Sequence, residues 1–551
     1  MEQGRMFLAI ALSFLVFFVW NYFFVEKQEV NPPEQSIPVN KQQPEPVQKP
    51  IVQTEKPEQQ DLVEEILKQS EKEPRMITVA TPYYTVQLSE KRACFKSFIL
   101  QHYREQVSQS SDLKELISKE NATGTLIESF AANSVEDLSG AVFTASELSD
   151  RIRVDGSPKK LTFSWVSKKG IVFEKTYTFY PDRYLIDIDL SIWNKSDITI
   201  NDNLEISLLD KVSEKAESYG FAGPSALVNG NFEKVELDDI DEKNSLTGSI
   251  KWVSVQDRYF ISSLISRQKN EAEMKLHLDE NNILKTTYRF PALSLHPGGV
   301  QRIGLQIFMG PKSVSILKSA NADLDMAVNF GFFDFIAKPC LWFMNFLHSY
   351  IPNYGISIIV ITILIKILFW PLGSKSYKSM NEMKKLQPLM AEIREKYKDD
   401  KKRMNEEVMG LYKTYKINPL GGCLPMVAQI PVFFALYQML YGAIELRHAP
   451  FFGWINDLSA PDRLFEFGFS IPFMEPPYGI PVLTIIMGAT MLIQQKLQPP
   501  AGDPMQAKMM MMMPIVFTVI FINFSSGLVL YWLVNNILSI AQQYYVSKTK
   551  A

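Results

Sequence analysis

Residues 356–372, ISIIVITILIKILFWPL, form an apolar run long enough to cross a bilayer, and inside it stands one cation, Lys366. Backbone in hydrocarbon must satisfy its own hydrogen bonds, so such a run folds as a helix. Lys at the centre of a helix in lipid is unfavourable by roughly 2.5 to 3.5 kcal/mol, so its ammonium must face protein, water or a guest. If the helix ends at Leu372, Lys366 lies about 9 Å from the interface at about 1.5 Å rise per residue. A Lys stem covers much of that distance, which leaves plain snorkelling as the functionless alternative.

Five further runs, at 6–25, 419–444, 479–494, 509–524 and 527–546, also read as spans. The expected fold class is a polytopic α-helical membrane protein with six spans. The loop 373–418 carries twelve Lys and Arg residues, against only Arg447 and Arg463 in 445–478. Positive charge stays on the cytoplasmic side, so the first loop is inside and the second outside. Both termini then face the cytoplasm, and the large polar portion lies outside. The run in 1–25 follows Arg5 but shows no small-x-small cleavage pattern, so it reads as an uncleaved anchor.

Residues 26–75 are rich in Pro, Gln, Glu and Lys and cannot bury enough apolar surface to order themselves, which makes them a tether. Beyond them the period becomes two: Tyr184, Ile186, Ile188, Leu190 and Ile192 alternate with Asp187, Asp189 and Ser191. Asp155-Gly156 and Lys169-Gly170 supply hairpin-type turns, and 76–325 reads as a β-sandwich. The sandwich contains no G-x-S-x-G, no H-E-x-x-H and no phosphate loop, so no catalytic residue is expected. The five His share no ligand spacing, and Cys94, Cys340 and Cys423 make no disulfide framework, so neither metal nor cofactor is expected.

Residues 326–352 are dense in aromatics but broken by Asp334, Lys338 and Asn345, the pattern of an amphipathic helix lying in the outer interface. The helical portion proper is 353–551. Within it, 374–417 steps by three and four through Met383, Leu386, Met390, Ile393 and Tyr397, breaks at Asp399-Asp400, and resumes at Met404, Val408, Leu411 and Tyr415. That spacing predicts a helical hairpin with Pro388 as a kink or a helix start. Its basic outer faces, with Lys384, Lys385, Lys401, Lys402 and Arg403, suit an anionic partner such as ribosomal RNA or lipid headgroups. A merely solvated charged hairpin is the alternative.

Polar residues inside the spans favour the inner half of the membrane. Thr362 lies one turn before Lys366, Gln429 lies well inside its span, and Asn535, Asn536, Ser539, Gln542 and Gln543 occupy the inner half of the last one. The outer halves are nearly pure hydrocarbon. This asymmetry predicts a wet recess open to the cytoplasm and closed outside, where a pore or alternating-access carrier needs polar lining on both sides. Met509 to Met513 read either as an adaptable wall of that recess or as lipid-facing filler.

The stretches NPLGGCLPMVAQIPVFFALYQML, followed by ELRHAPF, and DPMQAKMM…MPIVFTVIF…SSGLVLYWLVNN resemble the YidC/Oxa/Alb membrane protein insertases, in their Gram-negative YidC form. The resemblance spans nearly the whole chain. It implies a five-helix insertase core within 353–551, a periplasmic β-supersandwich, and residence in the bacterial inner membrane. It implies nascent membrane proteins as substrates and the ribosome, SecYEG with accessory Sec proteins, the signal recognition particle pathway and the lipid bilayer as partners, with no DNA. Carried onto this chain, the groove cation is Lys366, with Thr362, Gln429 and Trp532 near it, and Pro431, Phe433 and Phe517 form the slide along which an apolar segment leaves.

Two departures stand out. The family pattern has Arg at the groove position, and Lys keeps the charge but lacks the planar fork. The sequence stops at Ser547-Lys548-Thr549-Lys550-Ala551 without a long basic tail, so ribosome docking is expected to rest on the hairpin and the loop 496–508. A small-solute or proton-coupled transporter with an anchored periplasmic binding domain is the alternative, but the intramembrane acids that it needs are missing, and Glu445 lies at an outer end. A membrane-anchored carbohydrate enzyme accounts for the sandwich but does not require six spans.

Overall fold

The alternation at 184–192 becomes the strand Leu185–Asn194, whose Ile186, Ile188, Leu190 and Ile192 are buried while Asp189 is exposed. In this computed structural model, which describes residues 73–548 apart from 109, 213–220, 269, 416–423 and 499–503, that strand lies between Ile171–Phe179 and Val300–Pro311, antiparallel to both. The expected anchor 1–25 and nearly all of the tether lie outside the described residues.

A 5-stranded sheet runs Leu113–Glu115, Cys94–Arg104, Tyr84–Ser89, Met76–Ala80 and Arg151–Arg153. A 13-stranded sheet forms the rest of the sandwich. Ser245–Gln256 turns the corner within it: its first half pairs with Glu271–Leu278 and its second with Phe260–Ser266. Gly248 stands at that corner with φ of 151°, where a Cβ would meet the Asn229 side chain at 2.8 Å, so only glycine fits. Trp252, Tyr84, Tyr177, Phe95 and Phe98 fill the core.

Of the two expected hairpin turns, Lys169-Gly170 joins the paired strands Lys159–Val166 and Ile171–Phe179, with Gly170 at φ 83°. Asp155-Gly156 does not close a hairpin. The strand before it, Arg151–Arg153, pairs in parallel with Met76–Ala80, and the strand after it pairs elsewhere. The turn signal is local, whereas the partner of each strand is chosen by which core it covers.

The helices are α1 (Val314–Ser319), α2 (Asp334–Tyr350), α3 (Tyr354–Leu368), α4 (Trp370–Lys385), α5 (Gln387–Lys396), α6 (Lys401–Thr414), α7 (Leu424–Gly442), α8 (Val482–Leu497), α9 (Pro504–Phe521) and α10 (Ser526–Lys548). Helix α2 buries Ala337, Leu341 and Met344 and exposes Phe335, Trp342 and Tyr350. Pro388 starts α5 rather than kinking a longer helix, because its missing N–H costs nothing at a first turn. Asp400 caps α6 by accepting the Arg403 N–H at 3.0 Å.

The span assignments are only partly matched. Among the described residues no single helix is both long and apolar enough to cross a membrane, although α3 and α4 together pass that test with a 64° bend between them. The bend has a local cause. Pro371 lacks the N–H that would continue the ladder to Ile367, and the chain turns at Phe369, just before Trp370 opens α4. Helix α8 has 16 residues, which at about 1.5 Å each rise roughly 24 Å, and α10 is longer but carries a polar stripe.

The sandwich and the helices meet at the end of α7. Arg258 donates from Nε and Nη2 to the Tyr441 carbonyl at 2.8 and 2.6 Å and stacks over the Tyr441 ring. Arg447 Nη2 reaches the Arg104 carbonyl at 2.6 Å, and Ser313 Oγ donates to Glu445 at 3.1 Å. These contacts tie the two portions by charge-assisted hydrogen bonds rather than by apolar surface alone.

Candidate functional site

Helix α10 is the hub: α3, α4, α7 and α8 all pack against it. Its residues Trp532, Asn535, Ser539 and Gln542 follow the three-and-four spacing that places them on one face. Opposite that face is a recess of about 580 Å³, which Lys366, Gln429, Phe433, Phe517, Trp532 and Asn535 help to line.

Lys366 does not lie six residues inside its helix. Because α3 ends at Leu368, the ammonium rises from the last turn, where the free carbonyl ends favour a cation. Its side chain turns to α10: Nζ donates to Ser539 Oγ at 2.6 Å and to Asn535 Oδ1 at 3.4 Å. Ser539 passes its own proton to the Asn535 carbonyl at 2.7 Å, which leaves its oxygen lone pairs facing Lys366. Gln429 Nε2 donates to the same Asn535 Oδ1 at 3.1 Å, so Asn535 bridges α3 and α7. All these partners are neutral, and among the described lining residues there is no Asp or Glu.

On one side of this polar cluster lies an aromatic layer. Trp532, one turn from Asn535, meets Phe433 at 4.9 Å and Phe521 at 4.7 Å edge to face, with Phe517 at 6.1 Å. Phe521 continues it to Phe524 at 4.7 Å. Such edge-to-face packing is dense and dry, so it closes the recess in that direction. Met491, Met510 and Met513 line another wall, and their flexible thioethers suit guests of varied shape.

Two residues expected here lie elsewhere. Thr362 is buried and donates back to the Ile358 carbonyl of its own helix at 2.7 Å, so its hydroxyl is satisfied within α3 and it is not among the residues lining the recess. Pro431 lies off the lining, although its neighbours Gln429, Ile430 and Phe433 are on it. Gln543 leaves the recess as well and donates to the Leu497 carbonyl at 2.9 Å. Conversely, Tyr377 from α4, Gln494 and Gln495 from α8, and Gln498 just beyond it are lining residues. The Gln-Gln pair closing an apolar run was a readable signal, whereas Tyr377 enters only because of the bend at Pro371.

The basic residues of the hairpin fall into two groups. Lys384 and Lys385 are exposed at the end of α4, and Lys402 and Arg403 at the start of α6, while the Lys401 side chain lies outside the described residues. The ten-residue α5 separates the groups by roughly 15 Å. A larger hollow of about 870 Å³ on the sandwich is lined by Glu105, Glu115, Asp210 and Asp257, with Lys114 and Lys211. Burial pushes Asp210 up to about 7. Its acidic lining suits other guests than a recess whose only full charge is positive.

The family model described as 60Kd inner membrane protein matches residues 346–551, and one described as YidC periplasmic domain matches 76–343. The protein named membrane protein insertase YidC from Syntrophus aciditrophicus (strain SB) is 44% identical over 478 residues, covering 86% of this chain and 85% of that protein. Its namesake from Syntrophobacter fumaroxidans (strain DSM 10017 / MPOB) is 38% identical over 558 residues, covering 99% of this chain and 100% of that protein. A crystal structure described as an active YidC insertase with the first transmembrane domain resolved is similar at 18% identity and a TM-score of 0.38, covering 86% of this chain and 93% of that one. With both its sandwich and its helical portion matched, the chain belongs to the YidC family of membrane protein insertases.

Proposed function

We propose that this chain inserts nascent membrane proteins by drawing a polar tail into the recess, against Lys366, while the adjoining apolar segment passes along Phe433 and Phe517 into lipid. The observation that carries the reading is a half-buried cation whose hydrogen bonds go to neutral side chains. An ammonium without a carboxylate partner attracts an acidic or polar guest, and weak ties to Ser539 and Asn535 are readily exchanged for it. The polar cluster shortens the hydrocarbon path that the tail must cross. Lipid entry then removes apolar surface from water, at roughly 25 cal/mol per Å², so the step needs no nucleotide.

On this reading the chain is a multi-pass protein of the bacterial inner membrane with both termini in the cytoplasm and the sandwich in the periplasm. Six spans are proposed, with α3, α7, α8, α9 and α10 as the core. Helices as short as α8 fit a bilayer locally thinner than about 30 Å, which lowers the barrier further. The direct test is reconstitution of the purified chain in protein-free vesicles with a radiolabelled single-span client. Protease protection of the client's translocated tail supports the function, and equal protection in empty vesicles removes it.

Ribosomes delivering nascent chains, through the signal recognition particle pathway or beside SecYEG and accessory Sec proteins, are the proposed cytoplasmic partners. The hairpin carries that proposal through its exposed charges. Replacing Lys384, Lys385, Lys402 and Arg403 together by Glu is expected to weaken co-sedimentation with translating ribosomes several-fold at low salt, with the difference shrinking as salt rises. Unchanged co-sedimentation across the salt series, with topology intact, assigns these charges to solvation and orientation alone.

A further inference from the structure

The loop joining α7 to α8 carries a small hairpin in which the strands Leu464–Phe467 and Tyr478–Ile480 pair antiparallel. Its large apolar side chains point away from the protein: Phe465 is 68% exposed, Phe469 64% and Phe473 81%. This exposure is not the mark of a loose loop. Arg463 donates to the carbonyls of Pro477 and Ile522, each at 2.8 Å. Asn523 accepts the Glu475 N–H at 2.9 Å and donates to the Phe473 carbonyl at 3.1 Å. Asp462 accepts the Leu483 N–H at 2.7 Å and the Thr484 hydroxyl at 3.0 Å, at the start of α8. The hairpin is therefore pinned to the ends of α8 and α9.

Phe465 and Phe473 also have φ of 57° and 65°, a region that bulky side chains avoid. A built, strained presentation of aromatics to water is doubly unfavourable unless something covers them. The occupant follows from position and charge. The hairpin continues the exposed apolar surface of Ile485 and Ile486 on α8 and of Val519 and Ile520 on α9, at the level where those helices end. Aromatic side chains favour that level of a bilayer. Its exposed charges are Glu466 and Glu475, and Arg463 is turned inward onto carbonyls, so no cation is offered to anionic headgroups.

We propose that this hairpin is a lipid anchor, inserting Phe465, Phe469 and Phe473 into the headgroup and acyl boundary of the outer leaflet through apolar burial alone. The proposal rests on the membrane reading given above. It makes the hairpin a second interfacial element beside α2, fixing the depth of α8 and α9 and thus of the Met wall that they carry.

The test is spin labelling of the full chain with Cys94, Cys340 and Cys423 replaced by Ala, reconstituted in phosphatidylcholine vesicles with and without phosphatidylglycerol. Labels are placed at Phe473→Cys and Phe465→Cys, with Leu148→Cys on the sandwich and Ile515→Cys on α9 as water and lipid references; these two native residues are 93% and 49% exposed. The ratio of oxygen to nickel-chelate collisions at 473 and 465 is expected several-fold above that at 148 and indifferent to phosphatidylglycerol. Values equal to that at 148, while 515 reads as lipid, overturn the anchor and leave the insertase reading standing. Shielding of both labels from both reagents overturns it in favour of a protein partner, and a ratio that appears only with phosphatidylglycerol overturns the apolar account. An aqueous reading at 515 itself overturns the membrane reading and the anchor together.

Discussion

Lys366→Ala is expected to lower insertion of clients with acidic translocated tails roughly tenfold, the equivalent of about 1.4 kcal/mol, while clients with neutral tails change little. The size follows from losing one charge-assisted contact in a partly dry site. Lys366→Arg is expected to preserve or raise insertion, because a guanidinium stays protonated when desolvated and offers a planar fork to a carboxylate. Snorkelling predicts no dependence on the client. The direction of the side chain argues against it: although Lys366 lies in the last turn of α3, its Nζ is held by Ser539 and Asn535 on α10. The measurement is protease protection of matched clients differing only in tail charge, and equal yields with the Ala variant would falsify a role for the ammonium.

The second large effect lies in the sandwich, where Lys175 is buried almost completely beside an equally buried Glu128. The Lys175 ammonium also donates to the carbonyls of Ala93 at 3.2 Å and Leu126 at 3.1 Å, and the Tyr177 hydroxyl shares the Ala93 carbonyl at 2.7 Å. Removing one partner of such a pair leaves an uncompensated charge in a dry core, which costs about 3 to 5 kcal/mol. Lys175→Met is therefore expected to lower the unfolding temperature of the sandwich by many degrees. Adding Glu128→Leu removes the orphaned charge and recovers most of the loss. Calorimetry of the full chain in detergent compares the three proteins; no recovery in the double variant would mean that the pair itself supplies the stability.

The fold was legible where the pattern is periodic. Ile186, Ile188, Leu190 and Ile192 alternate because one face of a strand is buried, and of the residues Met383 to Tyr397 that step by three and four, Leu386 and Met390 are the buried ones. The turn at Asp155-Gly156 was misread because its two dihedral pairs carry no information about which strand lies beside the next one. The span ending at Leu372 was read as continuous because hydropathy averages over a window. The break depends on one residue, Pro371, whose lost hydrogen bond no average records.

The chemistry of the candidate site divides along the same line. The order of residues alone determined that a lone cation and several amides stand within apolar runs, because each of those groups is costly in hydrocarbon and a single one is conspicuous. Which of them meet was decided by tertiary structure. Lys366, Gln429 and Asn535 come from three helices far apart in sequence and converge only because α3 and α7 both pack against α10. Thr362, one turn before Lys366, lies within about 40° of the same helix face, yet its short side chain is buried and satisfied by the Ile358 carbonyl, whereas the long Lys366 stem reaches α10. Sequence specifies the groups that must be satisfied; the packing of helices chooses their partners, and here it left one ammonium with no acid beside it.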